Sequence, residues 1–238
     1  MACYNQGNFI KDAINSILSQ TYKEWEIIIV EDGSTDDSLK TIFKFVKEIS
    51  VGKKITITSH KQNEGYGSSL KDGISVCDGD LIAIVDSDDA LFDNDVLKTC
   101  VNTHISNLDV SLTYSNYYEC DKKLNPVKLY KTKQIPEGKT FLDGGIRVSH
   151  LKVFKRYSYL LTEGINPVLR QSVDKDLILK MEEVGKLLFI DKPLYKYRKH
   201  SSNISLTIDK KDKEYQEYVS KMRKQIYNDA KKRRGIIK

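Results

Sequence analysis

The residues best suited to chemistry are Asp86-Ser87-Asp88, which close the apolar run Leu81-Ile82-Ala83-Ile84-Val85. In extended backbone, positions i and i+2 project the same way. Two carboxylates held together repel, and a divalent cation relieves that repulsion. Mg²⁺ and Mn²⁺ take oxygen ligands and commonly share one or two carboxylates with substrate phosphates. A second acidic pair, Glu31-Asp32, closes another apolar run, Glu26-Ile27-Ile28-Ile29-Val30, and is followed by Gly33-Ser34. Gly33 permits a tight turn there, and Asp32 can accept hydrogen bonds from a base or ribose. An Asp after a strand also serves simply as a turn former or helix cap. It is the pairing of two acidic strand ends that points to a ligand.

Those ends need a scaffold. Apolar periodicity predicts helices over 9–20, 37–49, 65–76 and 94–104, the first with Asn8 as its cap. Strands are predicted over 26–30, 54–59, 81–85 and 110–118. Strands separated by helices of about a dozen residues indicate βαβ units and a parallel sheet. Ligands bind beyond the carboxyl ends of such strands, so both acidic clusters should face one crevice. Further along, a strand over 127–131 precedes a loop-rich stretch reaching about Ser172. A helix over 173–184 and extended pieces over 187–190 and 194–198 follow.

Composition narrows the function. The chain has 238 residues, enough for one large domain with a core of its own. No apolar run is long enough to span a bilayer. The start, Met-Ala-Cys-Tyr-Asn, carries no basic and then apolar leader, so a cytoplasmic protein is expected. The four cysteines are scattered, with no Cys-x-x-Cys and no zinc spacing to His, as in a reducing compartment. Asn203-Ile204-Ser205 matches a glycosylation sequon and is read as coincidence. Net charge is +6, and residues 207–238, with 11 Lys/Arg and 5 Asp/Glu, carry all of it. The remainder is neutral, which argues against nucleic acid as a partner. The tail reads as a basic, solvated helix. Its sharper use is contact with an anionic membrane surface through Lys231, Lys232, Arg233 and Arg234, on the inner face of a membrane. The P-loop, the dinucleotide-binding Gly-x-Gly-x-x-Gly, Gly-x-Ser-x-Gly and His-Glu-x-x-His are all absent.

Taken in order, the motifs resemble a family 2 glycosyltransferase. They are Tyr4-Asn5, Ser19-Gln20-Thr21-Tyr22, the run from Glu26 to Asp36, Asn63-x-Gly65 with Gly73, Gly79-Asp80 leading into Asp86-Ser87-Asp88-Asp89, Val173-Asp174-Lys175-Asp176-Leu177, and Tyr197-Arg198-Lys199-His200. The resemblance extends from residue 1 to about 205. It implies an α/β GT-A fold, with a Rossmann-like, mostly parallel sheet flanked by helices. A nucleotide-sugar half (1–118) and a loop-rich acceptor half (119–206) would form one domain, followed by the helical tail (207–238). It also implies inverting transfer of a sugar from a nucleotide-diphosphate donor, UDP by preference, to a glycan or lipid-linked acceptor, with Mn²⁺ or Mg²⁺ required.

By the same resemblance, Tyr4 and Asp32 touch the nucleoside, with Glu31 and Asn63 in the same binding set. Asp86 and Ser87 lie by the ribose and diphosphate, Asp88 holds the metal, and Asp174 is the catalytic base. His200 falls near a position that approaches the metal or diphosphate. The family's common Arg-Asn is Leu70-Lys71 here, so Lys71 becomes the candidate phosphate contact. Two further departures are the short Met1-Ala2-Cys3 where the family has a full apolar strand, and Val173 in place of an acid before Asp174. The acceptor wall is expected over about 138–172, with Phe141, Arg147, His150, Tyr157 and Tyr159, and Tyr130 just before it. Rival readings are a sugar nucleotidyltransferase, which the absence of cations in Asn5-Gln6-Gly7-Asn8 disfavours, and a non-catalytic nucleotide-sugar binder.

Overall fold

The computed structural model describes residues 1–49, 55–201, 203 and 212–237. The first half alternates strand and helix: β1 (Ala2–Cys3), α1 (Ile10–Leu18), β2 (Ile27–Glu31), α2 (Ser38–Ile49), β3 (Ile55–Ser59), α3 (Tyr66–Ser75) and β4 (Leu81–Ile84). The short β5 (Ala90–Leu91), α4 (Val96–Ser106), β6 (Val110–Cys120) and β7 (Pro126–Tyr130) follow. A 3-10 turn at Phe141–Asp143 precedes β8 (Lys152–Lys155), α5 (Arg156–Leu160), α6 (Val173–Val184), β9 (Lys186–Arg198) and α7 (Lys213–Arg233). Among the described residues, no helix is long and apolar enough to cross a membrane.

The α/β architecture is the expected one, but its strands form two sheets. β1, β2 and β3 pair in parallel. The second sheet runs β4-β8-β6-β9-β5, with β7 on β6. Within it only β6 and β9 are parallel; β8 runs against both β4 and β6, and β5 against β9. β2 is buried along its whole length, so its apolar run needs no alternation. Between the sheets lies an apolar cleft of about 740 Å³, lined by Met1, Ile28, Ile74, Ile82 and Ile84 among others. The Met1 ammonium donates to the Ile28 carbonyl at 2.8 Å, and burial lowers its pKa.

Several expectations are corrected. Asn8 does not cap α1; Phe9 precedes the helix without a side-chain cap, and the Phe9 and Ile10 amides donate to the Gln6 carbonyl. The stretch before Ser172 holds β8 and α5, elements too short to declare a period. The two extended pieces after Gly185 are one strand, β9, whose register against β6 slips on either side of the Asn116↔Pro193 pair. The tail helix is docked rather than solvated. Val219, Ile226 and Ala230 of α7 are buried. Arg233 pairs with Glu183 at 2.8 Å and Arg234 with Glu182 at 2.9 Å, both on α6. Two of the four cations proposed for a membrane surface are therefore neutralised by the protein's own carboxylates.

Candidate functional site

The loop after β1 and the turn after β2 are built as one piece. Asn5 has a left-handed backbone (φ 55°), which Asn tolerates better than most residues. Its Oδ1 accepts from the Thr35 amide at 2.9 Å and the Asp36 amide at 3.3 Å, while its own amide donates to Ser34 Oγ at 2.9 Å. Tyr4, beside it, is 40% exposed. Glu31 is turned inward and accepts from the Ser34 amide at 2.7 Å, so it shapes the turn. Gly33 is required twice over. Its φ is +65°, and a Cβ there would lie 2.4 Å from the main chain of Gln62.

Asp32 is buried and fully engaged. It accepts from the amides of Glu64 (2.8 Å) and Gly65 (2.9 Å), from Asn63 Nδ2 (3.1 Å), and lies 2.7 Å from His60 Nδ1. Burial opposes charge on His60, but the carboxylates of Asp32, Glu64 and Asp72 outweigh it and raise its pKa. Asn63 also accepts from Arg170 Nη1 at 3.1 Å, which links this turn to the loop before α6. The same loop presses on α3: the Gly67 amide donates to the Leu169 carbonyl, and a Cβ at Gly67 would sit 2.5 Å from that oxygen. The two halves of the chain therefore close on the amino end of α3.

Tyr66, the first residue of α3, reaches across to the second acidic cluster and donates to Asp86 Oδ1 at 2.8 Å. Its pKa is raised first by burial and then by the fields of Asp86, Asp174 and Asp88, so the phenol keeps its proton. Three of the carboxylates singled out from the sequence thus act on one hydroxyl, Asp86 by direct contact and Asp88 and Asp174 through their fields. Asp32 joins them at one remove, by anchoring Gly65, the residue before Tyr66. Burial and the charge of Asp88 raise the pKa of Asp86. The same two causes, with Asp86 added, raise that of Asp89 further. Among the described residues Asp89 Oδ2 is buried without a hydrogen-bond partner of close geometry, and the Tyr195 phenol opposes part of the rise. Ser87 is buried, and it lies with Glu31 and Ser38 around the Cys3 thiol, whose pKa burial lifts to about 11. The two acidic loops thus flank Cys3.

Asp88 meets the end of β9. Its Oδ2 is 3.0 Å from His200 Nε2 and 3.2 Å from Asn203 Nδ2. The His200 ring packs against Phe9, tilted by 36°, with centroids 4.3 Å apart. Carboxylate and imidazole converging on one point suit a manganese-like ion, and they leave positions for phosphate oxygens. Among the described residues, the tight three-ligand cluster is elsewhere, at His60, Glu64 and Asp72, where two of the three are exposed.

Asp174 opens α6, where its charge favours the helix dipole. It borders a cavity of about 400 Å³ shared with Tyr117, Phe141, Arg147, His150 and Lys152. α7 packs nearby: Arg223 donates to Ser172 at 3.3 Å, and the Tyr227 phenol feels the field of Asp174.

The sequence-based set therefore divides. Asp88 meets His200, Asp86 is held by Tyr66, Asp174 lines a separate cavity and its field reaches Tyr66, Asp32 and Asn63 build the turn before α3, and Tyr4 is exposed. Lys71 is exposed on α3 and takes no part in the contacts around the carboxylates. Of the acceptor-wall candidates, Phe141, Arg147 and His150 line the cavity beside Asp174, and Tyr130 stacks on Tyr117 at 5.1 Å. Tyr159 is instead a core residue whose hydroxyl accepts from the Ile165 amide. Tyr157 is 72% exposed and borders the other cleft. Sequence reasoning missed Tyr66, Arg198 and Asn203. Each sits inside or just beyond a motif already singled out, which is the signal that was available. Asn203, read as part of a chance sequon, is 3% exposed with its amide on Asp88 and on the Arg198 carbonyl.

Residues 1–160 match the profile of the family described as Glycosyl transferase family 2. Over 209 residues the chain is 28% identical to a chondroitin synthase of Escherichia coli, covering 85% of this chain and 29% of that protein. Over 208 residues it is 30% identical to a hyaluronan synthase of Pasteurella multocida, covering 85% and 20%. The chain thus spans less than a third of either relative. Among solved structures, S. aureus TarS 1-349 in complex with UDP-GlcNAc superposes with a TM-score of 0.68 at 18% identity, covering 85% of this chain and 58% of that one. A mannosyltransferase from Pyrobaculum calidifontis, in complex with GDP-Man and Mn²⁺, gives 0.64 at 15% identity, covering 82% and 54%. The fold is that of the GT-A glycosyltransferases, and the chain belongs to glycosyl transferase family 2.

Proposed function

We propose that the chain transfers a sugar, with inversion, from a nucleotide-diphosphate donor to a hydroxyl of a glycan or lipid-linked acceptor. The observations that carry this reading are the hydrogen bond from Tyr66 to Asp86, the meeting of Asp88 with His200, and the position of Asp174 on the wall of a cavity. That cavity is large enough for a sugar ring, and the charge of Asp174 reaches the phenol that holds Asp86.

The nucleoside lies between Tyr4 and the Asp32–Asn63 turn. Asp32 already has four donors, so a base or ribose group engages it by displacing one of them, and the Asn63 amide is the side chain able to swing. Asp86 faces the ribose and diphosphate, while Ser87, turned inward to Cys3, fixes the loop that presents it. Asp88 and His200 would hold the divalent cation, with diphosphate oxygens completing its shell. Bound there, Mn²⁺ or Mg²⁺ neutralises charge developing on the leaving nucleoside diphosphate. Asp174 removes the proton of the acceptor hydroxyl as its oxygen bonds to the anomeric carbon. Attack from the face opposite the leaving group inverts that centre. Tyr66 keeps its proton and holds Asp86 in place between donor and base. UDP is the favoured nucleotide, supported by the solved relative in complex with UDP-GlcNAc; the mannosyltransferase in complex with GDP-Man keeps GDP in the comparison.

The test is slow donor hydrolysis. A panel of UDP- and GDP-sugars with Mn²⁺ should yield free nucleoside diphosphate from one of them, and EDTA should stop it. Asp174→Asn should abolish release yet still bind the nucleotide. Hydrolysis by that variant at the parent rate would remove Asp174 from its role. Pyrophosphate formed from UTP and a sugar phosphate would move the chain to the nucleotidyltransferases.

A further inference from the structure

The cavity beside Asp174 has a charge balance that transfer alone does not explain. Arg147, Lys152 and Lys175 line it against the single carboxylate of Asp174. Lys152 is the informative one. It stands on β8, is 5% exposed, and among the described residues has no ion pair and no side-chain hydrogen bond. Its stem is enclosed and it lines the cavity, so an anion entering there meets an ammonium that no protein carboxylate has claimed. Asp86 is close enough for Lys152 to oppose the rise in its pKa, yet the two do not form an ion pair, and Asp86 already accepts from Tyr66. Lys152 therefore stands at the seam between the donor carboxylates and the cavity.

The remaining walls suit a sugar. His150 is stacked on Tyr195, with centroids 4.7 Å apart and planes 10° apart, and Tyr117 meets it edge-on at 5.8 Å. Burial first, and then the Lys152 charge, push the His150 pKa well below its ordinary value, so the ring stays neutral and leaves the cation to Lys152. Phe141 and Ile178 add apolar surface. Arg147, exposed at the mouth, lies over the Tyr130 ring and is free of carboxylate partners among the described residues.

We propose that this cavity recognises the carboxylate of an acidic acceptor sugar, with Lys152 as its buried partner and Arg147 and Lys175 at the rim, while a neighbouring hydroxyl faces Asp174. The inference rests on the glycosyltransferase reading and names its acceptor class. A carboxylate is favoured over a phosphate because Lys152 is the one enclosed cation of the lining, under the field of Asp86 and with Asp174 in the same wall, whereas Arg147 and Lys175 stand at the rim. A dianion would meet repulsion from both acids.

The experiment titrates the full chain, with UDP and Mn²⁺ present, using methyl glycosides of glucuronate and galacturonate, of glucose and galactose, and glucose 6-phosphate. Saturation-transfer NMR reports the affinities. The uronates should bind at least about tenfold tighter than the neutral sugars, as expected for a charge-assisted contact. Lys152→Met should erase that preference and keep UDP affinity within about twofold, whereas Lys152→Arg should retain it. Lys152 makes no ion pair or side-chain hydrogen bond among the described residues and Met keeps its stem, so the Tm should change little and folding does not confound the comparison. Equal binding of acidic and neutral sugars by the parent overturns the proposal. So does a Lys152→Met chain that loses UDP while keeping the uronate preference, because Lys152 would then serve the diphosphate. Tighter binding of glucose 6-phosphate replaces carboxylate with phosphate. Failure of the transferase reading looks different: the parent would neither bind UDP nor release it from any donor.

Discussion

Arg198 Nε donates to the main-chain carbonyl of Asp88 at 2.6 Å. The same guanidinium donates to the Lys122 carbonyl at 2.7 Å and to Asp12 Oδ2 at 2.8 Å, and lies 4.8 Å from the centre of the Phe9 ring. Its main-chain amide donates to Asp89 Oδ1 at 2.7 Å. One buried side chain thus ties helix α1, the turn after β6 and the acidic turn that presents Asp88. Lysine keeps the charge but not the planar fork, so Arg198→Lys should lose about 2–4 kcal/mol of stability in urea unfolding. The stabilisation given by UDP with Mn²⁺ should shrink along with it, because the acidic turn is no longer fixed. Unchanged nucleotide stabilisation in a destabilised variant would show that Arg198 serves the core alone.

The Tyr66–Asp86 contact separates position from packing. Tyr66→Phe retains the ring and removes one hydrogen bond to a charged group, an effect of about 1.5–3 kcal/mol where that bond matters. Donor turnover should fall roughly tenfold to a hundredfold, while the urea midpoint moves little. A full-rate Tyr66→Phe enzyme would mean that Asp86 needs no such anchor.

What the sequence revealed depended on range. The buried runs of β2 and β4 and the periodicity of α6 are local, and α6 spans Val173–Val184 as its pattern predicts. Asp86, Asp88 and Asp174 were legible because they stand at the ends of such elements. Lys152 was not. It lies in a four-residue strand whose face is set by pairing with β4 and β6, distant in sequence. The antiparallel insertion of β8 between them was hidden for the same reason. Asn203 was set aside with a sequon read as coincidence, and its contact with Asp88 was missed because a tripeptide match carries no information on what the side chain touches.

Acid should expose a second buried histidine. His104 lies 3.2 Å from the Val153 carbonyl, and burial lowers its pKa from 6.5 to about 4. The unfolded chain therefore binds a proton from about pH 6.5 downward, while the native state resists until about 4. Across that window stability falls as pH falls, by up to about 1.4 kcal/mol per pH unit for one group. His104→Gln should flatten the decline of urea-unfolding free energy between pH 6.5 and 4 relative to the parent. His150 titrates with the same sign and stays in both proteins, so the difference between the two curves belongs to His104. Parallel curves would refute the assignment.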